Sequence, residues 1–400
     1  MAIRKGTSAK GGGRAAVRTL PAADKPKKKR RFFAVANGFD MPFLIILMVI
    51  LTLGLICMFS ASYAYAFYWN DDSFFYIKRQ LMFAFIGVVA MLVISTVDYH
   101  ILHHFALPIM FVSLCLLVVV LFLPDSSGIH RWIRLPGFQL QPSEIAKFAM
   151  ILLFAHLISL NHRKMNTLTG GYLPFMAILG VTCGLVFLEP HLSGTILLLA
   201  IGMVMMYVGG TRLLYLLLTL GGGIGAVIYM VFVKGYEQDR INVWLHPFEA
   251  YSTDRDAAWQ TIQSLYAIGS GGFMGQGLGK SRQKHLFLPE PHNDFIFSVV
   301  CEELGFVGAV LVIVLFGLLV WRGFTIGMKS PDKFGSMLAI GLTVQVGVQV
   351  LLNMAVVTNT IPNTGISLPF FSYGGTSLVM LLAQMGVVLS VSRGVNTEKT

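Results

Sequence analysis

The chain has 400 residues, of which 55% are hydrophobic and only 12% charged, with a mean hydropathy of +0.71 and a formal net charge of +11. Soluble domains carry about 25% charged residues, so this composition excludes an ordinary water-soluble protein. Apolar runs of roughly 20 residues recur, each long enough to cross about 30 Å of hydrocarbon, and the short alternating segments of a β-barrel are absent. The fold class is therefore an all-α polytopic membrane protein.

Residues 1–39 form a basic tail expected to be disordered. Eleven Lys and Arg stand there against Asp24, ending in the run Lys27-Lys28-Lys29-Arg30-Arg31. Nucleic-acid binding would suit the charge, but the run lies shortly before the first apolar span. That position favours a cytoplasmic tail that sets topology and touches anionic lipid, with no nucleic-acid partner. The tail is too long for the n-region of a cleaved signal.

About ten spans follow, near 42–62, 79–97, 102–123, 143–160, 172–188, 191–208, 213–233, 294–320, 334–357 and 372–391. A membrane domain over 40–393 then ends in a short tail, 394–400. Arg163, Lys164, Arg212, Arg322, Lys329 and Lys333 fall on the same side as the basic tail. Because basic loops stay inside, both termini are expected in the cytoplasm. Cys57, Cys115, Cys183 and Cys301 lie within apolar runs without CxxC spacing and read as small hydrophobes.

This topology places a large loop, 234–293, on the outer side between spans seven and eight. It is unexpectedly basic for that side, with Arg240, Lys280, Arg282 and Lys284. Within it, Ala257–Ile268 has apolar residues at helical spacing, with Gln263 and Ser264 between them, as in an interfacial helix. The glycines from Gly269 to Gly279 suit either close backbone approach to a ligand or a hinge. No GxxxxGK[ST] pattern occurs, so the chain is not expected to be directly ATP-driven.

The loop closes on Glu290, His292 and Asp294, just before a span. Asp294 suits two roles, a helix N-cap and a general base whose pKa is tuned at an aqueous–apolar boundary. Glu302 and Glu303 lie inside the following span, where carboxylates require partners or a function. Glu144 and Lys147 stand three apart on one helix face and suit an intramembrane ion pair. Glu189, in Glu189-Pro190-His191, interrupts the 172–208 pair of spans. Arg131 and Arg134 around Trp132 could hold a phosphate and stack on a sugar, or anchor the chain at the interface. No His cluster has the spacing of a transition-metal site. A cation such as Mg²⁺ between carboxylate and diphosphate is compatible with the loop.

Several of these segments together resemble one family. Leu288–Phe297 (LPEPHNDFIF), Glu302-Glu303-Leu304-Gly305 and Leu368–Gly375 (LPFFSYGG) are similar to SEDS proteins of bacterial cell-wall synthesis. Gln141-Pro142-Ser143-Glu144 with Lys147, and Gln263-Ser264 before Ala267–Gly272, agree with it. Gly277–Lys284 resembles the FtsW-like division and sporulation branch more than the RodA-like one. His191 departs from the pattern, standing where the family usually has Asp, and Pro291 and Asn293 also depart from it.

The resemblance implies a peptidoglycan glycosyltransferase that polymerises lipid II on the outer face of the bacterial cytoplasmic membrane. The family's catalytic carboxylate maps to Asp294. Arg131, Trp132, Lys147, Arg240, Gln263, Ser264, Lys280, Arg282, Lys284, Glu290, His292, Ser372 and Tyr373 form the candidate substrate-binding set. Glu144, Glu189, Glu302 and Glu303 are expected as structural polar groups. The expected partners are lipid II, membrane lipids and a class B penicillin-binding transpeptidase, with no organic cofactor. A lipid II flippase is the alternative, since intramembrane carboxylates and broken helices also suit transport.

Overall fold

The computed structural model describes residues 38–123, 131–135, 138–189, 191–232, 238–251 and 255–397. The basic tail 1–37 and residues 398–400 lie outside them. Thirteen α-helices occur among the described residues. They are α1 (Met41–Asn70), α2 (Phe75–Thr96), α3 (His100–Phe122), α4 (Pro142–Asn161), α5 (Leu173–Leu188), α6 (Leu192–Val208), α7 (Leu213–Phe232), α8 (Gln238–Leu245), α9 (Pro247–Ala250), α10 (Arg255–Gly271), α11 (Ile296–Met328), α12 (Lys333–Val357) and α13 (Gly375–Thr397). Eight of them are long and apolar enough to cross a membrane. Two shorter apolar helices, α6 and the first half of α7, occupy the remaining expected positions. One small addition to the all-α expectation is an antiparallel hairpin, β1 (Ile133–Leu135) with β2 (Phe138–Leu140).

Local chemistry sets the helix starts. Asp40 caps α1 by accepting from the Phe43 N–H at 3.0 Å, with Pro42 in the first turn. Asp332 caps α12 through the Gly335 N–H at 2.8 Å. In the apolar stretches of α4, α12 and α13, 67% is buried within the protein, against 22–28% in α2, α3 and α11. The first group therefore forms the centre. The second turns Phe85, Phe111 and similar side chains outward, as lipid contact requires. Cys57, Cys183 and Cys301 are buried, whereas Cys115 sits on an outward face.

The chain enters and leaves the bundle on one face. The Asp40 N–H donates to Ser392 Oγ at 3.0 Å. Arg322, near the end of α11, makes a bidentate pair with the Asp40 carboxylate at 2.8 and 2.9 Å. The opposite face carries the hairpin, helices α8 to α10 and the approach to α11. The long loop is thus largely helical, and α10 contains the expected amphipathic segment.

α11 runs longer than expected and is broken at Gly305, whose φ of 66° and ψ of −165° no helix allows. A straight helix would bond the Phe306 and Val307 N–H groups to the Glu302 and Glu303 carbonyls. Here those carbonyls accept from Gln276 and Gly277 at 3.0 and 2.9 Å, while Phe306 and Val307 donate to Gly272 and Phe273 at 2.9 and 3.2 Å. The loop after α10 is inserted into the helix ladder.

Candidate active site

On the face with the hairpin, a cavity of about 810 Å³ opens between α2, α4, the α5–α6 turn and the segments before α11 and α13. Asp294 lines it, half-buried. It is not the N-cap of α11: that position is Phe295, and no side chain caps the helix. Burial pushes the Asp294 carboxyl up to about 6, the Glu290 carboxylate adds to the rise, and Arg131 opposes it.

The backbone around Asp294 is held carbonyl by carbonyl. The His292 carbonyl accepts from the Tyr373 N–H at 2.8 Å. Ser372 Oγ donates to the Asn293 carbonyl at 2.8 Å. Asn353, fully buried on α12, donates to the carbonyls of Asp294 and Ile366 at 2.7 and 2.6 Å. Gln80 on α2 bonds the Ser372 carbonyl and the Gly374 N–H, fixing the second loop. A Cβ added to Gly365, whose φ is +69°, would lie 3.3 Å from Asp294 Oδ2. Glycine there permits the 365 backbone to approach the carboxylate.

The cavity also gathers charge. Arg131, Trp132, Lys147, Glu144 and Tyr373 line it with Asp294. Lys147 and Glu144 pair at 2.7 Å and are nearly buried. Arg131 is half-buried, and its Nε donates to the Glu189 carbonyl at 3.3 Å. Arg79, absent from the sequence-derived set, also lines the cavity and lies 4.2 Å from the Phe75 ring centroid. The hairpin brings Gln139 to the rim, where its carbonyl accepts from Thr376 Oγ1 at 2.6 Å. The Arg134 side chain lies outside what is described.

Other residues in the candidate set sit elsewhere. Lys284 is 3% exposed and pairs with Glu303 at 2.9 Å while donating to Ser60 Oγ at 3.1 Å. Glu302 accepts from Ser281 Oγ and from the Arg282 and Gln283 N–H groups at 2.9 and 3.4 Å. Both carboxylates therefore bind the 281–284 segment rather than facing the cavity. Lys280 and Arg282 are exposed and do not line it. Arg240 reaches the Asn363 carbonyl at 3.4 Å. Gln263 and Ser264 are buried on α10, Ser264 Oγ donating to the Val357 carbonyl at 2.9 Å. His292 packs among Tyr65, Tyr76 and Tyr373, and burial holds its pKa down to about 4. Glu290 is exposed and accepts from Asn293 Nδ2 at 2.8 Å. Ser372 acts on backbone, as above. Glu189 is fully buried, with no hydrogen-bond partner for either carboxyl oxygen among the described residues, and burial pushes it up to about 8 against the pull of Arg131.

A signal for two of the missed groups was present. Gln345, Gln349 and Asn353 recur every four residues in an apolar span, which puts three amides on one helix face. Arg79 follows Lys78 at the start of a span, on the side the sequence reading expects to be the outer one, where basic residues are unusual.

The family model described as "Cell cycle protein", covering FtsW, RodA and SpoVE, matches residues 41–397. The chain belongs to the FtsW/RodA/SpoVE family. A relative from Trichlorobacter lovleyi named "Probable peptidoglycan glycosyltransferase FtsW" is 41% identical over 91% of this chain and 96% of its own length. "Stage V sporulation protein E" of Bacillus subtilis is 40% identical over 88% of this chain and 97% of its own. Among solved structures, a chain from work on "polymerization and crosslinking by a peptidoglycan synthase complex" superposes with a TM-score of 0.75 at 27% identity, covering 89% of this chain and 98% of that one. Thermus thermophilus RodA superposes with a TM-score of 0.65 at 28% identity, over 89% of this chain and 97% of that one. As in other FtsW/RodA/SpoVE proteins, then, this chain is a multi-pass membrane protein, and the cavity at Asp294 is a polar opening in it.

Proposed function

We propose that this FtsW/RodA/SpoVE protein is a peptidoglycan glycosyltransferase that polymerises lipid II, in cell division or sporulation, with Asp294 as general base. The observation that carries the proposal is Asp294 itself. It is a half-buried carboxylate poised at about 6, on a rigid backbone, in a cavity lined by Arg131, Arg79 and Lys147. Asp294 takes the proton of the acceptor sugar's 4-hydroxyl as that oxygen attacks the donor's anomeric carbon. The bond from that carbon to the diphosphate oxygen breaks, and the lipid diphosphate leaves. Arg131 and Arg79 stabilise the charge growing on it, since fixed cations in a sheltered site act more strongly than in water. The Lys147 charge is already shared with Glu144, so it orients more than it neutralises. Two lipid tails held in the bilayer bring donor and acceptor together and lower the entropic barrier.

A divalent cation fits this donor set in one way. Asp294 would supply a single carboxylate ligand, and diphosphate oxygens and water the rest, a pattern usual for Mg²⁺. Such an ion would neutralise charge on the leaving group. Among the described residues, no group of three or more His, Cys, Asp or Glu gathers to bind a metal unaided.

The test is polymerisation of labelled lipid II by purified protein, with and without its cross-linking transpeptidase partner. Arg131→Gln and Arg79→Gln should each lower kcat/KM for lipid II about tenfold or more, the loss of one charge-assisted contact to the leaving group. An EDTA arm reads the metal: a fall in rate restored by Mg²⁺ assigns it part of the neutralisation, and an unchanged rate leaves that to the arginines. Unchanged kinetics in both Arg variants would remove them from the diphosphate site.

The proposal needs the cavity on the outer side, with both termini in the cytoplasm. In a background lacking the four native cysteines, a cysteine replacing exposed Lys280 should be labelled by an impermeant reagent from outside. Labelling only after permeabilisation would invert the topology and end the outer-face mechanism.

A further inference from the structure

The turn between α5 and α6 gives the cavity one more polar group, His191. Its two ring nitrogens have different surroundings. Among the described residues, Nδ1 is buried with no hydrogen-bond partner. It rests over Gly194, where an added Cβ would come within 2.7 Å of it. The ring as a whole is half-buried and lines the cavity, so Nε2 is the nitrogen left to face the space.

The charges around the ring are Arg131 on the hairpin approach, Lys147 and Glu144 on α4, Glu189 in the same turn and Asp294 across the cavity. Burial, reinforced by Arg131 and Lys147, pushes the His191 pKa down to about 3. The ring is neutral wherever the protein works. Glu189 is no counter-charge, because its own buried carboxyl is raised to about 8. A neutral imidazole carries one N–H. On the sealed Nδ1 it would be a buried donor with no acceptor, the rarer and costlier kind of orphan. On Nε2 it points into the cavity, where bound substrate can accept it.

We propose that His191 is a positioning residue that donates one hydrogen bond, through its Nε2–H, to an oxygen of the bound lipid-linked sugar. It is a donor only, neither a proton carrier nor a cation. The proposal rests on the glycosyltransferase reading. The shared chemistry is an acceptor oxygen, which the sugar or its diphosphate could supply.

The experiment compares three replacements in the lipid II polymerisation assay. Gln carries its amide N–H near the position of Nε2, Asn near that of Nδ1, and Leu carries none. His191→Gln should keep a near-normal KM. His191→Asn and His191→Leu should each raise it about tenfold, the effect of one neutral hydrogen bond. Melting temperatures are recorded on the same preparations. The rate–pH profile of His191→Gln should have the shape of the native protein's. Inorganic diphosphate as a competing probe distinguishes the oxygens: inhibition weakened in the Leu variant assigns the diphosphate, and unaltered inhibition assigns the sugar. A Gln variant as impaired as the Leu variant overturns the proposal. So does rescue by Asn instead of Gln, or a native ionisation that the Gln variant lacks. If the Leu variant does not fold, the Gln and Asn pair still decides. A native protein that does not polymerise lipid II at all marks failure of the glycosyltransferase reading instead.

Discussion

Asp294→Asn is expected to abolish most lipid II polymerisation while leaving a folded protein. General-base catalysis contributes about 10²–10⁴-fold, and Asn keeps the shape without the proton affinity. The carboxyl is raised from 3.8 to about 6 in the folded protein. The base acts when ionised, so the native kcat/KM should fall as pH drops through about 6, and this limb should vanish in the Asn variant. The stability consequence has the opposite sign. Between pH 3.8 and about 6 the folded state holds its proton more tightly than the unfolded one, and above that range ionising the buried group works against folding. Removing the charge should therefore leave the melting temperature at neutral pH unchanged or raised. Near-normal polymer yield from a well-folded Asn variant would refute the assignment.

Lys284→Met is expected to act on stability rather than on turnover. The sequence places Lys284 in a cationic loop beside Asp294, which reads as a diphosphate ligand. In the structure its ammonium is buried against Glu303 and Ser60. Removing one partner of a buried pair strands the other, at a cost of about 3–5 kcal/mol. The double variant Lys284→Met, Glu303→Gln should recover much of that loss, because no charge is left uncompensated. Calorimetric melting of the two single variants and the double variant gives the coupling. Additive losses, or a Lys284→Met protein of native stability with a raised KM for lipid II, would return Lys284 to the substrate.

The contrast between these residues marks what the sequence could carry. Spans were legible because hydrophobic length answers to bilayer thickness and needs no partner information. The motif around Asp294 was legible through the family resemblance of LPEPHNDFIF, and the structure places this carboxylate in the cavity. Lys284 was not legible, because its partner is nineteen residues away in the next helix, and charge alone does not say which way a side chain turns. Asn353 was passed over for a similar reason. Its work is to hold the backbone of Asp294 and Ile366, and an amide in an apolar run gives no hint of which carbonyls it will meet. Both arginine readings left open at Arg131 were reasonable locally. Only the α5–α6 turn, distant in sequence, brings a second wall to it.

The interrupted ladder of α11 bears on how the protein is made. In hydrocarbon, every backbone amide needs a partner, since no water is present to serve. The upper part of α11 lacks two of its own rungs and takes them from residues 272, 273, 276 and 277. Those residues are made before α11, and water serves their amides until it arrives. The ladder of α11 is therefore complete only once the segment after α10 has docked on it. Loop and helix finish each other's bonding, and the first two turns of α11, just after Asp294, depend on that docking.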